Sequence, residues 1–249
     1  MKLTIEVWRQ AGPETKGKFV SYQIDNLDES MSILEMLDRL NDDLIIDGQA
    51  PIAFDSDCRE STCGACAISV NGRPGGQTPN LSTCMQRLSQ FMDGQVVRLE
   101  PLRAKAFPVV QDLVVDRSAL DRLLAVGTSE IDFGHAEAAD DHRVDPDQAE
   151  AALDMAACIG CGACVAACPN GSAYLFTGAK LAHLGLLPTD QAEKSKRVIA
   201  MTTVAEAEFG PCSLHEECLA VCPANLPATT LTVPGHERLA AWLRKGSAS

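Results

Sequence analysis

Eleven cysteines in 249 residues constrain this chain more than any other feature. They fall into three groups: Cys58, Cys63, Cys66 and Cys84; Cys158, Cys161, Cys164 and Cys168; and Cys212, Cys218 and Cys222. An odd number cannot all pair as disulfides. The N-terminus MKLTIEVW reads as a strand rather than an export leader, so the disulfide framework of a secreted chain is not expected. Clustered thiols in a reducing compartment are metal ligands, and their spacing selects the metal.

Composition narrows the class further. With 46% apolar and 22% charged residues, the chain is globular, and its length suits two domains of ordinary size. The formal charge of −13 disfavours nucleic acid and anionic lipid and favours soluble protein partners. No charged residue lies between Asp154 and Lys180, but that stretch is built of Cys, Gly and Ala and is broken by Pro169-Asn170-Gly171. It is not a bilayer span, and no other stretch is one.

The N-terminal part reads as mixed β with one helix. Leu3, Ile5 and Val7 alternate with polar residues, as do Val20, Tyr22 and Ile24, which predicts two half-buried strands joined as a hairpin. Ser32 followed by Glu35 predicts a capping box, and Ile33, Leu34, Leu37 and Leu40 continue at helical spacing. Later strands are expected at Ala67–Val70, ending at Asn71-Gly72, and at Val96–Leu99. From about residue 106 the pattern reads as helical. Asp116 heads a helix with a Leu120, Leu123 and Leu124 stripe stopped by Gly127, and Asp145-Pro146 starts another. Glu130 to Glu150 reads as an acidic solvated excursion. Further helices are expected after Pro188-Thr189 and from Gly235 to about Lys245.

The first group, CRESTCGAC with Cys84 further on, has the C-x4-C-x2-C…C spacing of a plant-type 2Fe–2S site. Gly64 permits the tight turns of such a loop, and backbone N–H groups can donate to the sulfurs. Zinc knuckles instead favour two short Cys pairs. The second group, CIGCGACVAACP, is the C-x2-C-x2-C-x3-C-P run of bacterial ferredoxins, in which the fourth Cys ligates the other cluster. Cys158, Cys161 and Cys164 therefore need a fourth ligand from elsewhere. The third group, CSLHEECLAVCP, repeats the run with His215 in the second place. By the crossing rule Cys222 completes a 4Fe–4S site with Cys158, Cys161 and Cys164, and Cys168, Cys212 and Cys218 remain as a three-thiolate set suited to 3Fe–4S. His215 has three readings: a fourth-iron ligand making this centre 4Fe–4S, a residue facing the cluster rim, or a surface histidine. The remaining histidines, His135, His142, His183 and His236, fall at no ligand spacing and read as structural or solvated.

The order of these motifs, with DLVVDRS between them, resembles the iron–sulfur subunit of succinate dehydrogenases and fumarate reductases. The resemblance implies an α+β chain: an N-terminal β-grasp, plant-type ferredoxin domain over residues 1–105, then an all-α ferredoxin-like domain over 106–249. It implies 2Fe–2S, 4Fe–4S and 3Fe–4S clusters. It also implies two partners: a flavoprotein subunit with covalent FAD and a membrane anchor with haem and quinone. Such a subunit relays electrons between them and does not itself bind succinate. The loop NGRPGGQTPNLST is longer than the usual family hairpin, so an enlarged turn is expected. Where many ubiquinone-linked members carry tryptophan, this chain has Asn170, Gly171, Ser172 and Ala173. That looks like the bacterial menaquinone-linked type, peripheral on the cytoplasmic face of the inner membrane. Pro169, Ser213 and His215 are then candidates for contacting quinone or anchor. The alternatives are a quinol:fumarate reductase subunit, a thiol-driven fumarate reductase subunit and, from another class, a zinc-stapled interaction module.

Overall fold

The structure is a computed structural model that describes residues 1–129 and 144–247. The larger part of the acidic stretch expected at Glu130–Glu150, with His135 and His142, lies outside the described residues. Two compact units divide the chain. One takes Met1–Arg117 with Ile159–Ala167 and Ala220–Ala224; the other takes Ser118–Cys158, Cys168–Leu219 and Asn225–Ser249.

In the first unit, β1 (Leu3–Arg9) and β2 (Lys18–Ile24) pair antiparallel, with Leu3 opposite Ile24 and Val7 opposite Val20. Leu3, Ile5 and Val7 all point into the core, as the alternation predicts. β1 also pairs in parallel with β5 (Val96–Glu100), which is possible because a helical crossover, α1 (Ile33–Ile46), intervenes. Short β3 (Ser69–Val70) and β4 (Arg73–Pro74) complete a mixed sheet of order β2-β1-β5-β3-β4. Helix α1 starts at the expected capping box: Glu35 N–H donates to Ser32 Oγ at 3.2 Å, and Ser32 N–H donates to the Glu35 carboxylate at 2.6 Å. Ile33, Leu34, Met36, Leu37, Leu40 and Leu44 of α1 are buried and belong to the sheet core.

The helical pattern expected from residue 106 is not what the chain adopts first. β6 (Val109–Gln111) and β7 (Val114–Val115) form a two-stranded ribbon, and helix begins only at Ser118. The tight turn rests on Asp112, at φ +45° and 2% exposed. Its carboxylate accepts from Gln10 N–H at 2.8 Å, Ala53 N–H at 2.9 Å and Arg9 Nε at 3.2 Å. Sequence periodicity has no signal for that buried, non-local anchor.

The second unit is helical among its described residues: α2 (Ser118–Gly127), α3 (Pro146–Ala156), α5 (Tyr174–Leu186), α6 (Gln191–Glu208) and α8 (Val233–Ser247). Short α4 (Ala163–Ala167), which belongs to the first unit, and α7 (Glu217–Ala220) lie within the cysteine runs. Asp145 caps α3 through Asp147 and Gln148 N–H, with Pro146 at the first helical position as expected, and Asp190 caps α6. Helix α5 has no clear signal in the sequence because Tyr174–Leu186 is apolar nearly all round, which is how a packed central helix reads. Gly178 of α5 meets the 3-10 turn Ala228–Thr232 so closely that a Cβ would stand 2.0 Å from Thr230 O.

Candidate metal centres

The loop Cys58–Cys66 is bent by left-handed residues at Arg59 (φ +56°), Ser61 (φ +62°) and Gly64 (φ +71°), so its amides turn inward. Glu60 and Cys63 N–H each donate to Cys58 Sγ at 3.3 Å, and Ala65 N–H donates to Cys63 Sγ at 3.4 Å. Ser61 Oγ meets Ser82 Oγ at 2.9 Å, tying the loop to the turn that carries Cys84. The Thr62 hydroxyl first, then the Glu60 and Thr62 N–H groups and the Cys63 thiol, hold the Cys58 thiol down to about 6. Burial first, with the Cys84 and Cys63 thiols adding to it, pushes Cys66 up to about 12. The hydrogen bonds to Cys58 favour its thiolate, the form that binds metal, whereas burial of Cys66 opposes ionisation unless a metal compensates. Cys58 interacts with Cys63, and Cys66 with Cys84 and Cys63, so the four thiols of the first group are neighbours.

Ile159–Ala167 and Ala220–Ala224 fold into this same unit, bringing Cys161, Cys164 and Cys222 into it; Cys158 stands one residue before the first of these segments. Cys161 and Cys222 are buried. Arg117 clamps this region to the first loop. Its Nη1 donates to Gly64 O at 2.6 Å and to Cys161 O at 3.0 Å, and its Nη2 to Ala65 O at 3.0 Å. Gly64 has no room for a side chain, since a Cβ would lie 2.4 Å from Ile159 O. Arg73 Nη2 donates to Ala220 O at 2.6 Å, beside the Cys222 turn.

The third set lies wholly in the helical unit. Cys168, Cys212 and Cys218 line one pocket with Pro169, Ser213 and His215. Burial first, then the neighbouring Cys168 thiol, pushes Cys218 up to about 11. Two backbone strands are brought together there: Gly210 N–H donates to Gly171 O at 3.2 Å, and Asn170 Nδ2 donates to Pro211 O at 3.1 Å and Ser213 Oγ at 2.9 Å. Gly210 is required, because a Cβ there would stand 1.7 Å from Asn170 O.

All eleven cysteines are free. Among the described residues, no three or more His, Cys, Asp or Glu side chains converge as a single bound metal ion would need. An iron–sulfur cluster makes a different demand, since its thiolates are shared out over several irons bridged by sulfide. Sulfur donors in turn-rich loops, N–H groups aimed at sulfur and burial of nearly half the ligands fit such a group.

Two family models match: a 2Fe-2S iron-sulfur cluster binding domain over residues 4–122 and a 4Fe-4S dicluster domain over 157–226. The succinate dehydrogenase iron-sulfur subunit of Bacillus subtilis (strain 168) is 33% identical over 186 residues, covering 72% of this chain and 69% of that protein. This chain belongs to the succinate dehydrogenase and fumarate reductase iron–sulfur subunit family. Another member, the fumarate reductase iron-sulfur subunit of Wolinella succinogenes, is 28% identical and aligned over 90% of this chain and 92% of its own length. A chain of the CoM/CoB fumarate reductase of Methanothermobacter marburgensis is 28% identical over 94% of this chain, which spans 42% of that protein. A chain of the Mycobacterium smegmatis Sdh1 complex in the apo form shares the fold at a TM-score of 0.75, with 23% identity over 98% of this chain and 97% of that one.

Three residues that position this family member's cysteines carry no ligand signal in the sequence. Arg117 lies in the DLVVDRS segment, Asn170 reads only as a break in an apolar stretch, and Gly210 sits in no motif. Only the fact that Gly210-Pro211 and Pro169-Asn170 each adjoin a cysteine could mark the last two.

Proposed function

We propose that this subunit relays electrons for a succinate:quinone oxidoreductase, between the FAD of a flavoprotein subunit and a quinone, menaquinone, at a membrane anchor. The ligand sets are Cys58, Cys63, Cys66 and Cys84 for 2Fe–2S; Cys158, Cys161, Cys164 and Cys222 for 4Fe–4S; and Cys168, Cys212 and Cys218 for 3Fe–4S. The observation that carries this reading is that Cys168 shares a pocket with Cys212 and Cys218, the pairing the crossed ferredoxin register requires. The fold names that go with it are a β-grasp ferredoxin domain over residues 1–105 followed by a helical ferredoxin-like domain over 106–249.

When bound, such clusters supply one-electron carriers; the chain's own residues decide how they are held. N–H groups of Glu60, Cys63 and Ala65 offset negative charge on sulfur and so favour the reduced state of the first site. The Arg117 guanidinium adds positive charge and a continuous hydrogen-bonded link from Gly64 to Cys161. Burial of Cys66, Cys84, Cys161, Cys218 and Cys222 keeps water from the sulfurs. Pro169, Ser213 and His215 border the third set and are assigned to the quinone or anchor side. Among the described residues no helix is long and apolar enough to cross a membrane, which suits a peripheral subunit held by its anchor on the cytoplasmic face.

The test is electron paramagnetic resonance of the purified complex with and without succinate, alongside metal analysis. About nine irons per chain, three distinct centres and reduction by succinate are expected. Zinc in place of iron, or centres that succinate leaves oxidised, would overturn the assignment. Co-purification with a disulfide-handling subunit would move it to the thiol-driven fumarate reductases.

A further inference from the structure

Three thiols and one imidazole line a single pocket of the helical unit: Cys168, Cys212, Cys218 and His215. Two independent observations mark His215. In the register of the CSLHEECLAVCP run it stands where Cys161 stands in CIGCGACVAACP, the place whose side chain ligates the same centre as the first and third. In space, His215 lines the same pocket as all three cysteines. Its neighbours Leu214 (φ +55°) and Glu216 (φ +63°) both hold left-handed backbone, a conformation that non-glycine residues keep only where the surroundings enforce it. Asn170 pins the start of the loop through Ser213 Oγ at 2.9 Å. Among the described residues no hydrogen bond or ion pair commits the His215 ring.

We propose that His215 is a fourth-corner ligand through which the third centre reversibly takes up one divalent metal ion, Fe²⁺ or Zn²⁺, when the three-iron core is reduced. The inference rests on the three-iron reading above and adds a second occupancy state to it. Imidazole suits both ions, whereas the carboxylates of Glu216 and Glu217, which also line the pocket, are harder donors suited to Mg²⁺, Ca²⁺ or Mn²⁺. With the cluster bound, three of its sulfides would supply the remaining donors, so the ion would need one protein ligand only. The absence of a converging three-ligand set among the described residues is therefore consistent with it.

The balance is simple. One electron, delivered by the subunit's own relay or by dithionite, takes the oxidised three-iron core from a charge of +1 to neutral. His215 then donates a nitrogen lone pair to M²⁺, three sulfide–metal bonds form, bound waters leave, and the core becomes +2 with no further electron. If the ring starts protonated, its proton goes to water. Reoxidation weakens the sulfides as donors and releases the ion.

The experiment uses the purified complex, poised reduced under anaerobic conditions, given ⁵⁷Fe²⁺ or Zn²⁺, desalted, and read by Mössbauer and pulsed paramagnetic resonance. Loss of the reduced three-iron Mössbauer signature on metal addition is expected; one further electron from dithionite, taking the +2 core to its half-integer-spin +1 state, should then expose nitrogen hyperfine coupling that shifts on ¹⁵N-histidine labelling. His215→Ala should retain the three-iron signal but weaken metal uptake at least about tenfold, the scale on which metal sites respond to loss of a supporting group. His215→Cys should restore uptake, and Glu216→Gln and Glu217→Gln should leave it unchanged. Uptake by His215→Ala equal to that of the natural protein, absence of nitrogen coupling, or loss of uptake in the Glu variants alone would overturn the inference and leave the three-iron reading standing. Absence of any three-iron signal before metal addition would overturn both.

Discussion

Asp112 illustrates how much a single side chain far from any cysteine decides. Its carboxylate is 3% exposed and serves two backbone amides and Arg9, so removing it leaves two N–H groups and Arg9 Nε without their acceptor, while Arg9 Nη1 and Nη2 keep Tyr22 Oη, Ala50 O and Pro51 O. Breaking a buried pair from one side is costly, and Asp112→Ala should lose about 3 kcal/mol, or roughly 6–12 °C in thermal midpoint for a chain of this size. Asp112→Asn keeps a carbonyl acceptor and tolerates the left-handed backbone, so it should fall between the two. Thermal loss of the visible absorbance of the purified complex would rank the three proteins; an Asp112→Ala midpoint equal to that of the natural protein would contradict this account. Arg117 works by the same logic in reverse, one guanidinium satisfying three carbonyls that no strand or helix pairs.

At the scale of elements, the third cysteine group depends on two chain segments meeting at backbone distance. The turn after Cys168 and the segment after α6 meet at Gly210, where a methyl group has nowhere to go: Asn170 O would be 1.7 Å away and Asn170 C 2.8 Å. Both obstacles are backbone, so Gly210→Ala must push Cys212 away from Cys168. The third centre should then be lost while the 2Fe–2S signal persists, as paramagnetic resonance of the isolated complex would show. Gly235→Ala is the matched control, because its Cβ would meet nothing within 4 Å in α8. It should be neutral or slightly stabilising. Equal retention of the third centre in both variants would refute the close-approach argument.

For the molecule as a whole, the proposed crossed ligation would make two distant stretches interdependent. Cys168 is the last cysteine of the second run but shares its pocket with the third, so Cys168→Ser should damage the third centre and spare the one held by Cys158. Loss of the 4Fe–4S signal with an intact three-iron signal would reverse the assignment. Sequence alone determined whatever local chain geometry dictates: the Ser32–Glu35 box, the Asp145-Pro146 start and the alternation of β1. These rest on contacts between residues a few positions apart, where spacing and structure are nearly the same thing. Tertiary structure decided the β6–β7 ribbon, the burial of α5, the Arg117 clamp and the Gly210–Asn170 contact. Each depends on residues tens of positions apart, and whether they meet depends on how the rest of the chain closes around them.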